Sequence, residues 1–306
     1  MKHVTDLLRR RWLALVVTAA LGSGLFAGCS SFDQQMHKWI FQPAPAGTSQ
    51  REAARQQRDD GFVNVWIDLD SKTSGQTVRL HALWAENADP HAPLLLYLHG
   101  ARRSVESSAF RIRQMQSLGF SVLGIDYRGF GESTDELPSE ASAIEDAMAG
   151  WEWLRREHPK QDRYIFGHSL GGAIAVSLAA RTPDEHGLIV EGTFTSVADV
   201  FSSFRWGWLP LGGLIGSRFD AAGNIARVGS PVLVVHGSSD TTIMPELGRR
   251  LFDKAVEPKR FELIEGGTHY STNRLGREQY RRALAELFGI GKRSMSSGLR
   301  DTESTE

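Results

Sequence analysis

Tyr164-Ile-Phe-Gly-His-Ser-Leu-Gly-Gly-Ala-Ile-Ala-Val-Ser-Leu-Ala-Ala180 joins a short apolar run to a stretch of small residues through Gly167-His168-Ser169-Leu170-Gly171. Apolar residues ending at a glycine read as a buried strand, and the alanine-rich run beyond reads as a helix able to lie close to a sheet. A serine on the sharp turn between them is held in a strained backbone, with glycines on either side leaving room for the neighbouring strand and helix. The start of the helix leaves N–H groups unpaired behind Ser169, so the Leu170 N–H is placed to bind a developing oxyanion. The same pentapeptide pattern also occurs in glycine-rich turns without chemistry, and its meaning depends on partners elsewhere in the chain.

Those partners are present and follow strands. His99-Gly100-Ala101 comes directly after Leu94-Leu-Leu-Tyr-Leu98, and the Ala101 N–H is the candidate second oxyanion donor. Val232-Leu-Val-Val-His-Gly-Ser-Ser-Asp240 places Asp240 in a loop after another strand, and Phe261-Glu-Leu-Ile-Glu-Gly-Gly-Thr-His269 places His269 after the last one. A serine, an acid and a histidine in that order suit nucleophilic acyl transfer, with the histidine as base and the acid as its orienter. Taken singly, each is more often a turn, a capping aspartate or a solvated histidine; together, each after a strand, they form one constellation.

Outward from this centre the chain alternates. Phe62–Leu69 and Thr77–Trp84 read as an antiparallel opening pair. After Pro90 and Pro93 come short continuous apolar runs, Leu94–Leu98, Phe120–Ile125, Tyr164–Phe166, Leu188–Val190, Val232–Val235 and Phe261–Ile264, which suit strands buried on both faces of a parallel sheet. Ala143 to His158 carries Ile144, Ala147, Met148, Trp151 and Leu154 on one helical face and stops at Pro159. Strand alternating with helix predicts a three-layer α/β/α sandwich with a mostly parallel eight-stranded sheet. The segment 195–224 interrupts the alternation and reads as a short cap; its Trp206 and Trp208 either line an acyl pocket or touch lipid, or pack the cap on the core. The domain spans 61–290, and 291–306 reads as a polar tail without fixed structure.

These motifs, with Tyr127-Arg-Gly-Phe-Gly-Glu-Ser133 and Gly266-Gly-Thr-His269, resemble the α/β-hydrolase superfamily over roughly residues 62 to 290, most similarly its small-capped esterase, lysophospholipase, thioesterase and serine aminopeptidase members. The resemblance implies a serine hydrolase acting on a small-molecule acyl substrate, with Ser169 as nucleophile, His269 as base, Asp240 as its partner, and Leu170 and Ala101 as oxyanion donors. Many members carry Asn after His-Gly where this chain has Ala101-Arg102, a change that a backbone donor tolerates. The resemblance makes Tyr127–Ser133 a structural loop in which Arg128 pairs internally. Arg102 and Arg103 adjoin the oxyanion loop, either meeting an anionic head group or lying solvated on the surface. A peptidase using the same residues, and a non-catalytic binding protein of the same fold, remain as rival readings.

The remaining features bound location and partners. Arg9, Arg10 and Arg11 precede the apolar run Trp12 to Gly28, the pattern of a signal peptide over residues 1–28. The single cysteine, Cys29, follows Phe26-Ala27-Gly28, which resembles the cleavage box of a bacterial lipoprotein. The expectation is a lipid-anchored protein of the bacterial envelope, probed against a plain secretory signal or an uncleaved anchor, with 29–60 as a polar tether. The 306 residues, 41% hydrophobic, suffice for one large core, and a net charge of −1 offers no footprint for nucleic acid. The histidines lack metal-ligand spacing, and no nucleotide-binding glycine motif is present, so no metal or cofactor is implied. The sequence leaves the oligomeric state open.

Overall fold

The computed structural model describes residues 33–43, 61–203 and 219–291. Residues 33–41, inside the stretch read as a tether, form a helix. Cys29, Trp206 and Trp208, together with the proposed signal segment and tail residues 292–306, lie outside the described residues. No helix among the described residues is long and apolar enough to cross a membrane.

Eight strands form one sheet: β1 Val63–Asp70, β2 Thr77–Ala85, β3 Leu94–Leu98, β4 Ser121–Ile125, β5 Arg163–His168, β6 Gly187–Glu191, β7 Val232–Gly237 and β8 Lys259–Ile264. Their spatial order is β1-β2-β4-β3-β5-β6-β7-β8. Strands β1, β2 and β4 pair antiparallel, and every pairing from β4 to β8 is parallel. The eight-stranded, mostly parallel sheet and the antiparallel opening pair are as the sequence predicts. The parallel interior strands β3, β4, β5, β6 and β7 are buried along their whole length, which is why their sequences run apolar instead of alternating. Strand β8 departs from this. It closes the edge of the sheet, and Leu263 is 48% exposed there.

Helices cover both faces. We label them α1 Ala109–Ser117, α2 Glu140–Glu157, α3 Leu170–Ala179, α4 Pro245–Lys254 and α5 Arg277–Leu287. Helices α2 and α3 pack together, and the short helix Ala221–Ile225 connects α3 to α4 on that side; α1 and α5 lie opposite, linked through Thr272–Leu275. Side chains of one strand alternate between the layers. On β3, Leu95 and Tyr97 join the cluster with Ile112, Met115, Tyr280 and Leu284, while Leu96 turns to α2. Helix α2 begins three residues earlier than its apolar face predicts. Ser139 caps it by accepting from the Ser142 N–H at 3.1 Å, and Ser142 Oγ accepts in return from the Ser139 N–H at 2.8 Å. A reciprocal cap built with serine satisfies the free N–H groups as a Ser–Glu pair would, and leaves no apolar signal.

The parallel arrangement gathers the loops after β3, β5, β6, β7 and β8 at the carboxyl edge of the sheet. In such sheets that edge is where ligands bind.

Candidate active site

Ser169 stands between β5 and α3 with φ +57° and ψ −124°, a conformation that costs a side-chain-bearing residue roughly 1–3 kcal/mol. Three backbone bonds hold it there. Its N–H donates to Glu191 O at 2.9 Å, and its carbonyl accepts from the Gly172 N–H and from Thr193 Oγ1, each at 2.9 Å. The flanking glycines are required by contact. A Cβ on Gly167 would strike the Gly171 carbonyl, and one on Gly171 would strike the Leu98 carbonyl at the end of β3. The helix therefore starts hard against two strand ends and drives Ser169 outward.

The loop after β3 lies directly beside the serine. A Cβ on Gly100 would come within 3.0 Å of Ser169 Cβ, so Ala101 is next to the elbow. Buried His99 fixes the base of this loop, with Nδ1 2.8 Å from the Gly100 carbonyl and Nε2 3.3 Å from Asp126. Among the described residues the Ala101 N–H has no acceptor, and Leu170, the first residue of α3, has no intrahelical acceptor by position. Two residues whose backbone N–H groups have no acceptor among the described residues thus adjoin Ser169, one in the loop after β3 and one at the start of α3.

Asp240 and His269 are joined. His269 Nδ1 is 2.8 Å from Asp240 Oδ2, and both residues are buried, at 5% and 2% exposed. The other carboxylate oxygen accepts from the N–H groups of Thr242 and Ile243, both at 2.9 Å. Burial alone would raise the Asp240 pKa, but hydrogen bonds from His236, His269 and the Ile243 N–H outweigh it and hold the carboxyl well below its ordinary value. Asp240 is accordingly ionised and can orient the His269 ring with its proton on Nδ1, leaving Nε2 for a second partner.

The pair sits against the strand end that carries the serine's backbone bonds. Gly192 has φ +56°, and a Cβ there would lie 3.3 Å from His269 Nδ1 and 3.5 Å from Asp240 Oδ2. Its neighbours Glu191 and Thr193 are the residues bonded to Ser169. Among the described residues the Ser169 hydroxyl itself makes no hydrogen bond. Links of this kind are long in unliganded sites and tighten when substrate arrives.

A buried network beneath the histidine loop escaped the sequence reading. Arg111 of α1, fully buried, donates from Nε to Glu191 Oε1 at 3.2 Å and from Nη2 to the carbonyls of His269 and Tyr270 at 3.3 and 3.4 Å. Glu191 also accepts from the Tyr280 hydroxyl at 2.5 Å. His168 Nε2 lies 2.9 Å from the His269 carbonyl and 3.2 Å from Arg111 Nη2. Burial first, then the charges of Arg111 and His269, push the His168 pKa well below its ordinary value, so its single Nε2 proton goes to the carbonyl and the arginine contact is packing. The legible signal was Glu191, a carboxylate closing a strand of apolar residues.

Comparison with known proteins agrees with the architecture. A family model described as serine aminopeptidase, S33 matches residues 89–220. The Pyrococcus furiosus esterase Pf2001 superposes with a TM-score of 0.60 at 18% identity, over 80% of this chain and 97% of that one. The chain has the α/β-hydrolase fold. Among curated sequences, the chain is 38% identical over 184 residues to an uncharacterized protein of Mycobacterium tuberculosis, covering 58% of this chain and 64% of that protein. It is 29% identical over 223 residues to the lysophosphatidylserine lipase ABHD12 of Danio rerio, covering 66% and 58% respectively. The chain therefore spans under two thirds of the length of these curated relatives.

One further sequence expectation meets the structure here. Arg128 pairs internally, with Asp146, Glu145 and Glu136. Among the described residues no group of three or more His, Cys, Asp or Glu side chains is arranged to hold a metal ion.

Proposed function

We propose that this α/β-hydrolase cleaves carboxylic ester or thioester bonds through an acyl-enzyme formed on Ser169. The observation that carries the reading is the buried Asp240–His269 pair at 2.8 Å, set against the β6 turn that also bonds the backbone of Ser169. In the proposed reaction His269 Nε2 takes the Ser169 proton as Oγ attacks the acyl carbonyl. The Leu170 and Ala101 N–H groups stabilise the tetrahedral oxyanion, and Asp240 offsets the charge gained by His269. The same proton then goes to the leaving alcohol or thiol. Water, activated by His269, hydrolyses the acyl-enzyme and restores Ser169.

Names among the similar proteins, a lipase in sequence and an esterase in structure, favour the ester reading. An amide or peptide substrate is the second reading, and the aminopeptidase description of the family model favours it. Panels of acyl esters, acyl thioesters and aminoacyl amides separate the two. Labelling by a fluorophosphonate probe, with loss of labelling and a fall in kcat of about 10⁴-fold or more in Ser169→Ala at unchanged thermal stability, is the expected result. Full hydrolysis by Ser169→Ala would remove the reading, and absence of labelling would favour a non-catalytic binding protein.

Lipid attachment at Cys29 and an envelope location belong to the same proposal, supported by the basic and apolar residues before that cysteine. Mass spectrometry of the mature N-terminus tests it. A diacylglyceryl-modified Cys29 is expected, and an intact Met1 would exclude it.

A further inference from the structure

Arg103 lies two residues beyond Ala101, on the oxyanion side of the proposed site. Its guanidinium sits 4.7 Å from the ring centroid of Tyr270, and the Tyr270 ring is 5.2 Å from the His269 ring. The arginine is part-buried and Tyr270 is 49% exposed, so the pair stands at the surface beside His269. Tyr270 is held from below, because its carbonyl accepts from buried Arg111. The charge of Arg103 reaches inward and helps keep His168 neutral. Among the described residues no carboxylate or carbonyl accepts from Arg103, and its guanidinium lies over the tyrosine face.

A guanidinium presents five donors in a planar fork matched to two-oxygen anions, and stacking on an aromatic ring fixes that plane while leaving its edges open. The fork stands beside the histidine that must protonate the leaving group. With Arg103 over the residue that follows His269, a group bound there would fall on the leaving-group side of the substrate.

We infer that Arg103, oriented by Tyr270, selects acyl substrates whose leaving group carries a phosphate or carboxylate. The inference rests on the hydrolase reading above and adds the substrate class and its selecting residue. An anion there neutralises the part-buried Arg103, and one charge-assisted contact is worth about 10- to 100-fold in specificity.

The test uses the full chain and lauroyl esters of matched length: 1-lauroylglycerol as the neutral substrate, 1-lauroylglycerol 3-phosphate as the phosphate, and 1-lauroyl-glycerophosphoserine as the phosphate with an added carboxylate. Arg103→Gln is expected to lower kcat/KM for the two anionic esters about 10- to 100-fold, mostly through KM, and to leave the neutral ester within about twofold. Arg103→Lys should recover part of the loss, and added salt should shrink the preference in the parent protein. The lauroyl ester of 4-hydroxybutyrate, whose leaving group carries a carboxylate and no phosphate, separates a carboxylate requirement from a phosphate one. Equal losses on neutral and anionic esters, or no loss on either, overturn the inference. Dodecyl phosphate binding to Ser169→Ala protein by calorimetry, weakened about 10-fold or more by adding Arg103→Gln, supplies a readout independent of turnover. Unweakened binding counts against Arg103, whereas hydrolysis that survives Ser169→Ala counts against the hydrolase reading alone.

Discussion

Two buried polar centres of this molecule are built from the same kinds of residue and finished differently. Around Arg128, in the loop after β4, the guanidinium meets Asp146 at 2.6 Å, Glu145 at 2.8 Å and Glu136 at 3.3 Å, with Ser71 Oγ and Thr73 Oγ1 taking further donors at 3.0 and 3.1 Å. Around Ser169 the account is left incomplete. Among the described residues the serine hydroxyl makes no hydrogen bond, and Nη1 of buried Arg111 has no hydrogen-bond partner. A centre whose valences are satisfied internally can only stabilise the fold. One that leaves donors and a hydroxyl open beside an ionised, oriented Asp–His pair has capacity for a substrate.

The sharpest way to break this contrast is Asp240→Asn. The fold should tolerate it, because one side-chain oxygen can still accept from Thr242 and Ile243. The amide then turns its NH2 toward His269 Nδ1 and favours the wrong tautomer for a base at Nε2. We expect kcat to fall about 10⁴-fold with the melting temperature changed by a few degrees at most, measured by esterase assay and thermal unfolding side by side. Activity kept within 10-fold would mean that the orientation of His269 does not depend on this pair.

Arg128→Met is the converse experiment. It leaves Asp146 and Glu145 without their cation, and removing one partner of a buried ion pair costs about 3–5 kcal/mol. Urea unfolding should show that loss, while kcat of the folded fraction at low temperature stays within about twofold. Arg128→Lys, which keeps a charge but not the fork, should fall between. A selective loss of kcat in Arg128→Met at parent-like stability would place Arg128 in the chemistry and dissolve the comparison.

The contrast also explains what could be read without coordinates. The strands of the parallel interior were legible because burial on both faces leaves unbroken apolar runs; Ser169 and Asp240 each follow such a run, and His269 follows the half-buried edge strand β8. Their joining was legible only in part: the Asp240–His269 bond is present, whereas the contact from Ser169 is not closed. Arg111 was illegible because its partners are 80 and 158 residues away, at Glu191 and His269. On α1 it sits between Phe110 and Ile112 in a pattern that gives no hint of which face a long cation takes. The stack of Arg103 on Tyr270 has the same origin: sequence placed each beside a motif and carried nothing about their meeting. Pattern reveals elements and their ends, and long-range polar pairings appear only once the sheet order is known.

The smallest expected effect tests the satisfied centre through its pH dependence. Glu145, with its side chain 17% exposed, accepts from Ser71 Oγ at 2.6 Å, the Lys72 N–H at 2.6 Å, Thr73 Oγ1 at 2.8 Å and Arg128. Burial pushes its pKa up, but these four donors outweigh burial and bring it down to about 2 from the ordinary 4.5. A carboxyl whose folded pKa is depressed stabilises the native state fully above its unfolded pKa, and that contribution is lost as pH falls through the folded pKa. Glu145→Gln should therefore cost about 1–2 kcal/mol at pH 7, where charge-assisted bonds become neutral ones. The difference from the parent should narrow steadily below pH 4.5 and nearly close at pH 2, in urea titrations across that range. Esterase activity at pH 7 should not change, since Glu145 touches only the satisfied centre. A gap that stayed constant with pH would assign the stabilisation to packing of the side chain and leave the charges of this centre without an energetic role.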